Sequence, residues 1–253
     1  FGFGPEILEA LAAIGYSEPS PIQKAAIPEL MLGRDLVGQA QTGTGKTAAF
    51  ALPILHRLMN GGRGHVRALV VAPTRELAEQ IHSAISELGR ETGLRSVTVY
   101  GGVGINPQIA RLKKGVEIVI ACPGRLLDHL NQKTIDLSRL EMLVLDEADH
   151  MFDMGFLPDI RRLLKQLPRQ RQTLLFSATM PQEIRSLAKE VLRNPETVQV
   201  DLVAPAVTVS HALFRPTRLQ FWLDDGSVEG TTVMRLQLDT DVRRSAERVW
   251  VKG

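Results

Sequence analysis

The chain has 253 residues, 44% of them hydrophobic, and 30 Lys+Arg against 28 Asp+Glu give a net charge of +2. This balance suits one good-sized domain with an appendage, and it excludes global disorder and bulk attraction to a polyanion. A single cysteine, Cys122, excludes an intrachain disulfide. No apolar run approaches the ~18 residues of a membrane span. The chain opens at Phe1 rather than Met and carries nothing that reads as a secretion signal, so a soluble, cytoplasmic, monomeric protein is expected.

Pro21 suits the first position of a helix after Ser20. Short apolar runs then recur at 35–39, 67–72, 96–100, 117–121, 142–146, 173–177 and 197–200, with helical patterns between them. Most are continuous rather than alternating, the mark of strands covered on both faces. Thr74 can cap a helix beginning at Arg75, and Pro181 opens another over 182–192. The pattern predicts an α/β fold: an open, mostly parallel sheet with helices on both faces, covering 1–214. From 215 to 253 no further strand–helix unit is expected. Asp224-Asp225-Gly226 reads as a turn there, and Met234 to Val242 partly alternates like an exposed strand.

Ala40-Gln41-Thr42-Gly43-Thr44-Gly45-Lys46-Thr47 lies between a predicted strand and a predicted helix. Small residues let the backbone wrap an anion with its N–H groups pointing inward, and the helix N-terminus adds positive potential. Lys46 can reach the β- and γ-phosphates of ATP, and the Thr47 hydroxyl can ligate Mg2+. Gly-Lys-Thr alone would fit a solvent-facing turn; the strand–loop–helix setting argues for the phosphate site. The general pattern has Gly where Ala40 stands.

A second apolar strand ends abruptly in Asp146-Glu147-Ala148-Asp149. Buried carboxylates are costly unless a cation or a reaction needs them. Asp146 is placed to hold Mg2+, and Glu147 to orient or deprotonate an attacking water. Read alone, the run could equally be an acidic helix start.

These motifs, with Ser177-Ala178-Thr179, resemble the DEAD-box family of ATP-dependent RNA helicases, whose loop carries Ala at the position of Ala40. Gly15 to Gln23 resembles the family's Q motif, and Pro73-Thr74-Arg75 its motif Ia. Gly101-Gly102 and Pro123-Gly124-Arg125 resemble its remaining RNA-contacting motifs. Asp153 to Phe156 is similar to bacterial RhlE-like members. The resemblance implies a first, RecA-like domain, with Gln23 reading adenine and the loop 40–47 cradling the phosphates. It assigns backbone contacts to RNA, without base specificity, to Pro73, Thr74, Arg75, Gly101, Gly102, Pro123, Gly124 and Arg125. It gives Asp149, Ser177 and Thr179 the coupling of the ATP site to strand separation. Cys122 departs from the family's usual Thr. The family stacks an upstream aromatic on adenine, which spacing puts before residue 1, so that role is not assigned to Phe1 or Phe3. Family members use a second RecA-like domain that supplies arginines, and 215–253 shows none of its motifs; Arg243-Arg244 lacks the flanking residues. ATP binding with weak turnover is therefore expected of this chain. Two other readings compete: a nucleotide-gated RNA clamp without productive turnover, and an unrelated phosphate-loop ATPase, which Gln23 and the spelling of the acidic box disfavour.

Overall fold

The structure is a computed structural model that describes residues 1–200 throughout and, beyond them, the backbone of two strands, Leu219–Leu223 and Met234–Leu238. Two helices, α1 (Pro5–Ala13) and α2 (Pro21–Met31), precede the first strand. Strands and helices then follow one another: β1 (Leu36–Gln39), α3 (Lys46–Met59), β2 (Ala68–Val71), α4 (Arg75–Leu88), β3 (Ser96–Val99) and α5 (Ile105–Lys113). Next come β4 (Ile118–Ala121), α6 (Pro123–Asn131), β5 (Met142–Leu145), α7 (Ala148–Asp153) and α8 (Leu157–Leu164). The unit closes with β6 (Gln172–Ser177), α9 (Gln182–Val191) and β7 (Glu196–Gln199).

The seven strands form one parallel sheet in the order β3-β4-β2-β5-β6-β1-β7. All seven predicted runs are strands, to within a residue or two at their ends. Their continuous apolar character has a direct cause. Met142 and Val144 of β5 enter the core on one face, while Leu143 and Leu145 enter the core on the other. β2 and β4 divide their side chains the same way, so neither face of the central sheet is left for polar residues. One close approach inside the sheet demands glycine: a Cβ on Gly38 of β1 would collide with the Phe176 ring on β6. That ring packs at 5.6 Å from the Phe50 ring of α3.

Helix starts follow their local chemistry. At the head of α2, whose first residue is Pro21, Gln23 Oε1 accepts from Ser20 N–H (2.9 Å), one half of a capping box. The Thr74 hydroxyl accepts from Leu77 N–H (3.2 Å) at the head of α4, a cap worth ~1 kcal/mol.

A second compact unit runs from Val203 to Gly253. Its described part is an antiparallel pair, β8 (Leu219–Leu223) with β9 (Met234–Leu238), Leu219 facing Leu238. The strand expected from Met234 is present over its first five residues, whereas β8 was not anticipated. The turn at 224–226 and Arg243-Arg244 lie outside the described residues. Among the described residues, no helix is long and apolar enough to cross a membrane.

Candidate functional site

Every singled-out motif after Gln23 follows the carboxyl end of a strand, where open parallel sheets bind ligands. Sheet order divides them. β3, β4 and β2 lie side by side and lead into Gly101-Gly102, Pro123-Gly124-Arg125 and Pro73-Thr74-Arg75 respectively. β5, β6 and β1 lie side by side and lead into Asp146-Glu147, Ser177-Ala178-Thr179 and the loop 40–47. The chain thus separates one set of motifs from the other across a single edge of the sheet.

The loop after β1 turns by way of Gly43 (φ 83°) and Gly45 (φ 92°), both in the left-handed region. Ala40 is buried in the core at the strand–loop junction, and its N–H donates to the Ser177 carbonyl (3.1 Å). The Thr44 hydroxyl donates to the Gln41 carbonyl (2.8 Å), closing the turn. Lys46 opens α3, is only 6% exposed, and its buried Nζ has no hydrogen-bond partner. A buried, orphaned ammonium costs several kcal/mol. Thr47 follows on the same turn, half-buried. Gln23 braces the loop from α2: its Nε2 donates to the Gly45 carbonyl (3.1 Å) while its Oε1 accepts from Ser20 N–H (2.9 Å). A Cβ at Gly45 would stand 2.6 Å from Gln23 Nε2, so glycine is required there by space as well as by φ.

Two strand positions away, the acidic segment meets this loop. The Thr42 hydroxyl donates to Glu147 Oε1 (3.2 Å), directly joining segments 105 residues apart. Asp146 is 2% exposed, and burial raises its carboxyl to about 6, an effect that the positive charge of Lys46 partly offsets. Its Oδ1 accepts from the Glu147 N–H (3.0 Å). Glu147 holds φ 50°, a left-handed conformation that costs a non-glycine residue of order 1 kcal/mol and turns the chain sharply from strand to helix. Its other oxygen lies 3.3 Å from His150 Nδ1. The orphaned Lys46 ammonium and the buried Asp146 carboxylate, with the Thr47 hydroxyl on the next residue, could hold a phosphate chain and a hard divalent cation.

Asp149 is tied to the end of β6. Its N–H donates to Ser177 Oγ (3.1 Å), and its Oδ2 accepts from both the hydroxyl and the N–H of Thr179 (2.8 Å each). Burial works to raise this carboxyl, but the Thr179 bonds more than offset it and hold it below its ordinary range.

On the other half of the edge, Arg75 is exposed and stands over the Tyr100 ring, 5.8 Å from its centroid. Gly101, Gly102 and Gly124 are open: a Cβ on any of them would meet nothing within 4 Å, although Gly102 holds φ 80°. Pro123 is the first residue of α6 and is buried. Arg125, in contrast, does not stand free. It donates through Nη1 to the Val103 carbonyl (2.9 Å) and pairs through Nε with Asp128 (3.4 Å), fastening the loop after β3 to α6. The Thr74 hydroxyl is likewise occupied as a cap. Burial, with Glu76 nearby, pushes the Cys122 thiol up to about 11, which leaves it an unreactive neutral group.

Sequence reasoning missed two features. The first is a buried polar chain under the open loops: the Gln108 amide donates to the Tyr100 carbonyl (2.9 Å) and its Oε1 meets His129 Nε2 (3.2 Å), while His129 Nδ1 meets Thr134 Oγ1 (2.7 Å). Burial, aided by Arg125, lowers the His129 pKa, and because Gln108 Oε1 can only accept, it is Nε2–H that donates to it. No spacing signal links residues 108 and 129, which share neither a helix nor a loop. The second is a cavity of about 480 Å3 beside Gln23, walled by Phe1, Phe3, Tyr16 and Pro19 among others. Tyr16 sits within the Gly15–Gln23 stretch but had drawn no separate attention.

Comparison with known proteins agrees with this geometry. The DEAD/DEAH box helicase family matches residues 20–187. The chain is 48% identical over 200 residues to the ATP-dependent RNA helicase CshA of Listeria monocytogenes, covering 79% of this chain and 38% of that protein. It is also 48% identical over 200 residues to the ATP-dependent RNA helicase DeaD of Buchnera aphidicola, covering 33% of the latter. The chain therefore spans between a third and two fifths of these relatives' length. A crystal structure of a DEAD box protein from Methanococcus jannaschii superposes with a TM-score of 0.75 at 38% identity, covering 79% of this chain and 55% of that one. A hypothetical ATP-dependent RNA helicase from Sulfolobus tokodaii gives 0.73 at 41% identity, covering 78% of this chain and 57% of that one. With the strand order, the phosphate loop and the acidic box in agreement, the chain belongs to the DEAD/DEAH box helicase family.

Proposed function

We propose that the unit built on the seven-stranded sheet is the ATP- and RNA-binding first domain of an ATP-dependent RNA helicase, which remodels RNA duplexes when paired with a second RecA-like domain. The observation that carries this reading is the buried Lys46 Nζ without a partner, set in a glycine-turned loop that touches the acidic box through Thr42 and Glu147. The loop's N–H groups and Lys46 bind the triphosphate. The Thr47 hydroxyl and Asp146 would hold Mg2+, whose chemistry there would be to offset phosphate charge. Glu147 orients the attacking water and accepts its proton. The Gln23 carboxamide has four hydrogen-bonding positions and spends two on Ser20 and Gly45, leaving one donor and one acceptor for adenine. The neighbouring cavity supplies aromatic walls for the base.

RNA lies across the loops after β3, β4 and β2. Open glycines let a sugar–phosphate chain approach the backbone there, and Arg75 supplies charge. Arg125 uses two of its five donors within the protein, so it positions the Gly101-Gly102 loop as well as offering contacts to phosphate. Asp149, with Ser177 and Thr179, links the nucleotide to the RNA-facing part of the domain. The arginines that stabilise the transferred phosphoryl come from the second domain and contribute ~10³–10⁵ in rate, so turnover by this chain alone is weak. ATPase assays with and without RNA, on this chain and on Glu147→Gln, test the reading. RNA-stimulated turnover abolished by the substitution supports the enzyme. RNA binding with negligible turnover in both supports a clamp.

A further inference from the structure

Three buried charged residues sit at the amino ends of strands, opposite the motif edge, and each is fully engaged. Asp35, just before β1, accepts from Thr173 N–H (2.8 Å) and Arg193 N–H (2.7 Å). Glu117, before β4, accepts from Gly64 N–H (2.6 Å) and Arg95 N–H (2.8 Å). Arg67, before β2, pairs with Glu141 and donates to the Leu58, Asn60 and Gly62 carbonyls. Next to Asp35 that satisfaction fails. A cavity of about 480 Å3 between the C-terminal ends of α8 and α9 is lined by Arg161, Lys165, Arg169, Arg171 and Arg193.

Among the described residues, the carboxylates on its wall are Asp35 and Glu190. Asp35 is spent on backbone N–H groups, and Glu190 is paired with Arg161 (3.2 Å). Among the described residues, Lys165 and Arg169 have no carboxylate partner, and the Arg193 guanidinium donates to the Arg169 carbonyl alone. Arg171 donates to the Pro168 carbonyl, yet its Nε is shut off from solvent with no partner. The two helix C-termini draw cations with about −0.5 charge each. That explains one positive charge of an excess of three and leaves about two. A phosphate group carries about −1.5 to −2.

We propose that this cavity is a second ligand site, at the opposite end of the strands from the phosphate loop, for a small anion bearing a phosphate group held by Arg171, Arg169 and Lys165. The cavity opens to solvent, but its volume of about 480 Å3 is confined to the space among α8, α9 and the start of β6, which suits a free small molecule more than a tracked nucleic-acid backbone. Burial, and the positive Arg193 alongside, make the Arg171 guanidinium less at ease as a cation than usual, a cost that a bound anion relieves. The site does not depend on the ATP or RNA assignments.

Inorganic phosphate is the probe, read by the arginine Nε–H resonances of the 15N-labelled chain, with Arg171 assigned through Arg171→Lys. The Arg171 Nε–H should move saturably with phosphate and stay still with chloride at equal ionic strength. The exposed pair Lys165→Gln and Arg169→Gln, introduced together, should weaken the phosphate response at least tenfold, while Lys46→Ala leaves it intact. A resonance that ignores phosphate, or follows chloride equally, overturns the proposal. So does one that moves with a single-stranded RNA oligonucleotide but not with phosphate, which would make the recess a stretch of RNA track.

Discussion

The two ends of the strands treat buried charge in opposite ways. At the amino ends, Asp35, Arg67 and Glu117 are buried and their hydrogen-bonding capacity is met by protein. At the carboxyl ends, Lys46 is buried with its Nζ orphaned, and Asp146 is buried with only one backbone N–H donated to it. Both arrangements cost desolvation, but only the first recovers it within the fold. Unrecovered charge marks where a ligand completes the structure: at Lys46 and Asp146 on the carboxyl edge and, as the one exception at the amino ends, at Arg171 beside Asp35.

Removing charge should accordingly have opposite consequences at the two ends. Arg67→Ala strips Glu141 and three carbonyls of their donor, and the chain should lose about 3–5 kcal/mol in urea unfolding. A loss below ~1 kcal/mol would mean the amino-end charges are not structural. At the other end, Asp146 binds its proton more tightly folded than unfolded, with its carboxyl raised to about 6 from 3.8. Between those values stability falls as pH rises, and at pH 8 the ionised group costs up to ~3 kcal/mol. Asp146→Asn should therefore raise the thermal midpoint of the ligand-free chain at pH 8, but not at pH 4, while abolishing Mg·ATP binding. A destabilised variant at pH 8 would contradict the contrast.

The smallest effect belongs to the buried chain beneath the loops proposed to face RNA. Gln108→Ala frees the Tyr100 carbonyl and leaves His129 Nε2 unpaired, so the loop after β3 loses its support. RNA affinity should fall about tenfold, roughly 1.4 kcal/mol, with ATP affinity unchanged. Fluorescence anisotropy with a single-stranded RNA, run beside a nucleotide titration, separates the two; an equal loss in both would show mere destabilisation.

Sequence was most informative where physics acts locally. The apolar runs of β2, β4 and β5 announce a sheet covered on both faces because each strand must feed two cores. Gly43, Gly45 and Pro21 mark turns and helix starts through their own backbone preferences. β8 escaped notice because Leu219-Gln220-Phe221-Trp222-Leu223 neither alternates nor runs unbroken. Thr42 meeting Glu147, Gln108 meeting His129, and the orphaned Nε of Arg171 depend on elements brought together from distant stretches. Arg125 is instructive as well. As a motif residue it reads as a hand held out to RNA, yet packing already gives part of that hand to Val103 and Asp128.

The central claim is that the orphaned Lys46 ammonium is built for a phosphate chain. Isothermal titration of Mg·ATP into the chain and into Lys46→Ala tests it most directly. Saturable binding is expected to the first, and affinity reduced at least ~100-fold in the second, about 2.7 kcal/mol and so at the upper end of the ~1.5–3 kcal/mol of a single charge-assisted bond, because the ammonium is desolvated. Equal affinities in the two proteins, or no heat with either, would contradict it.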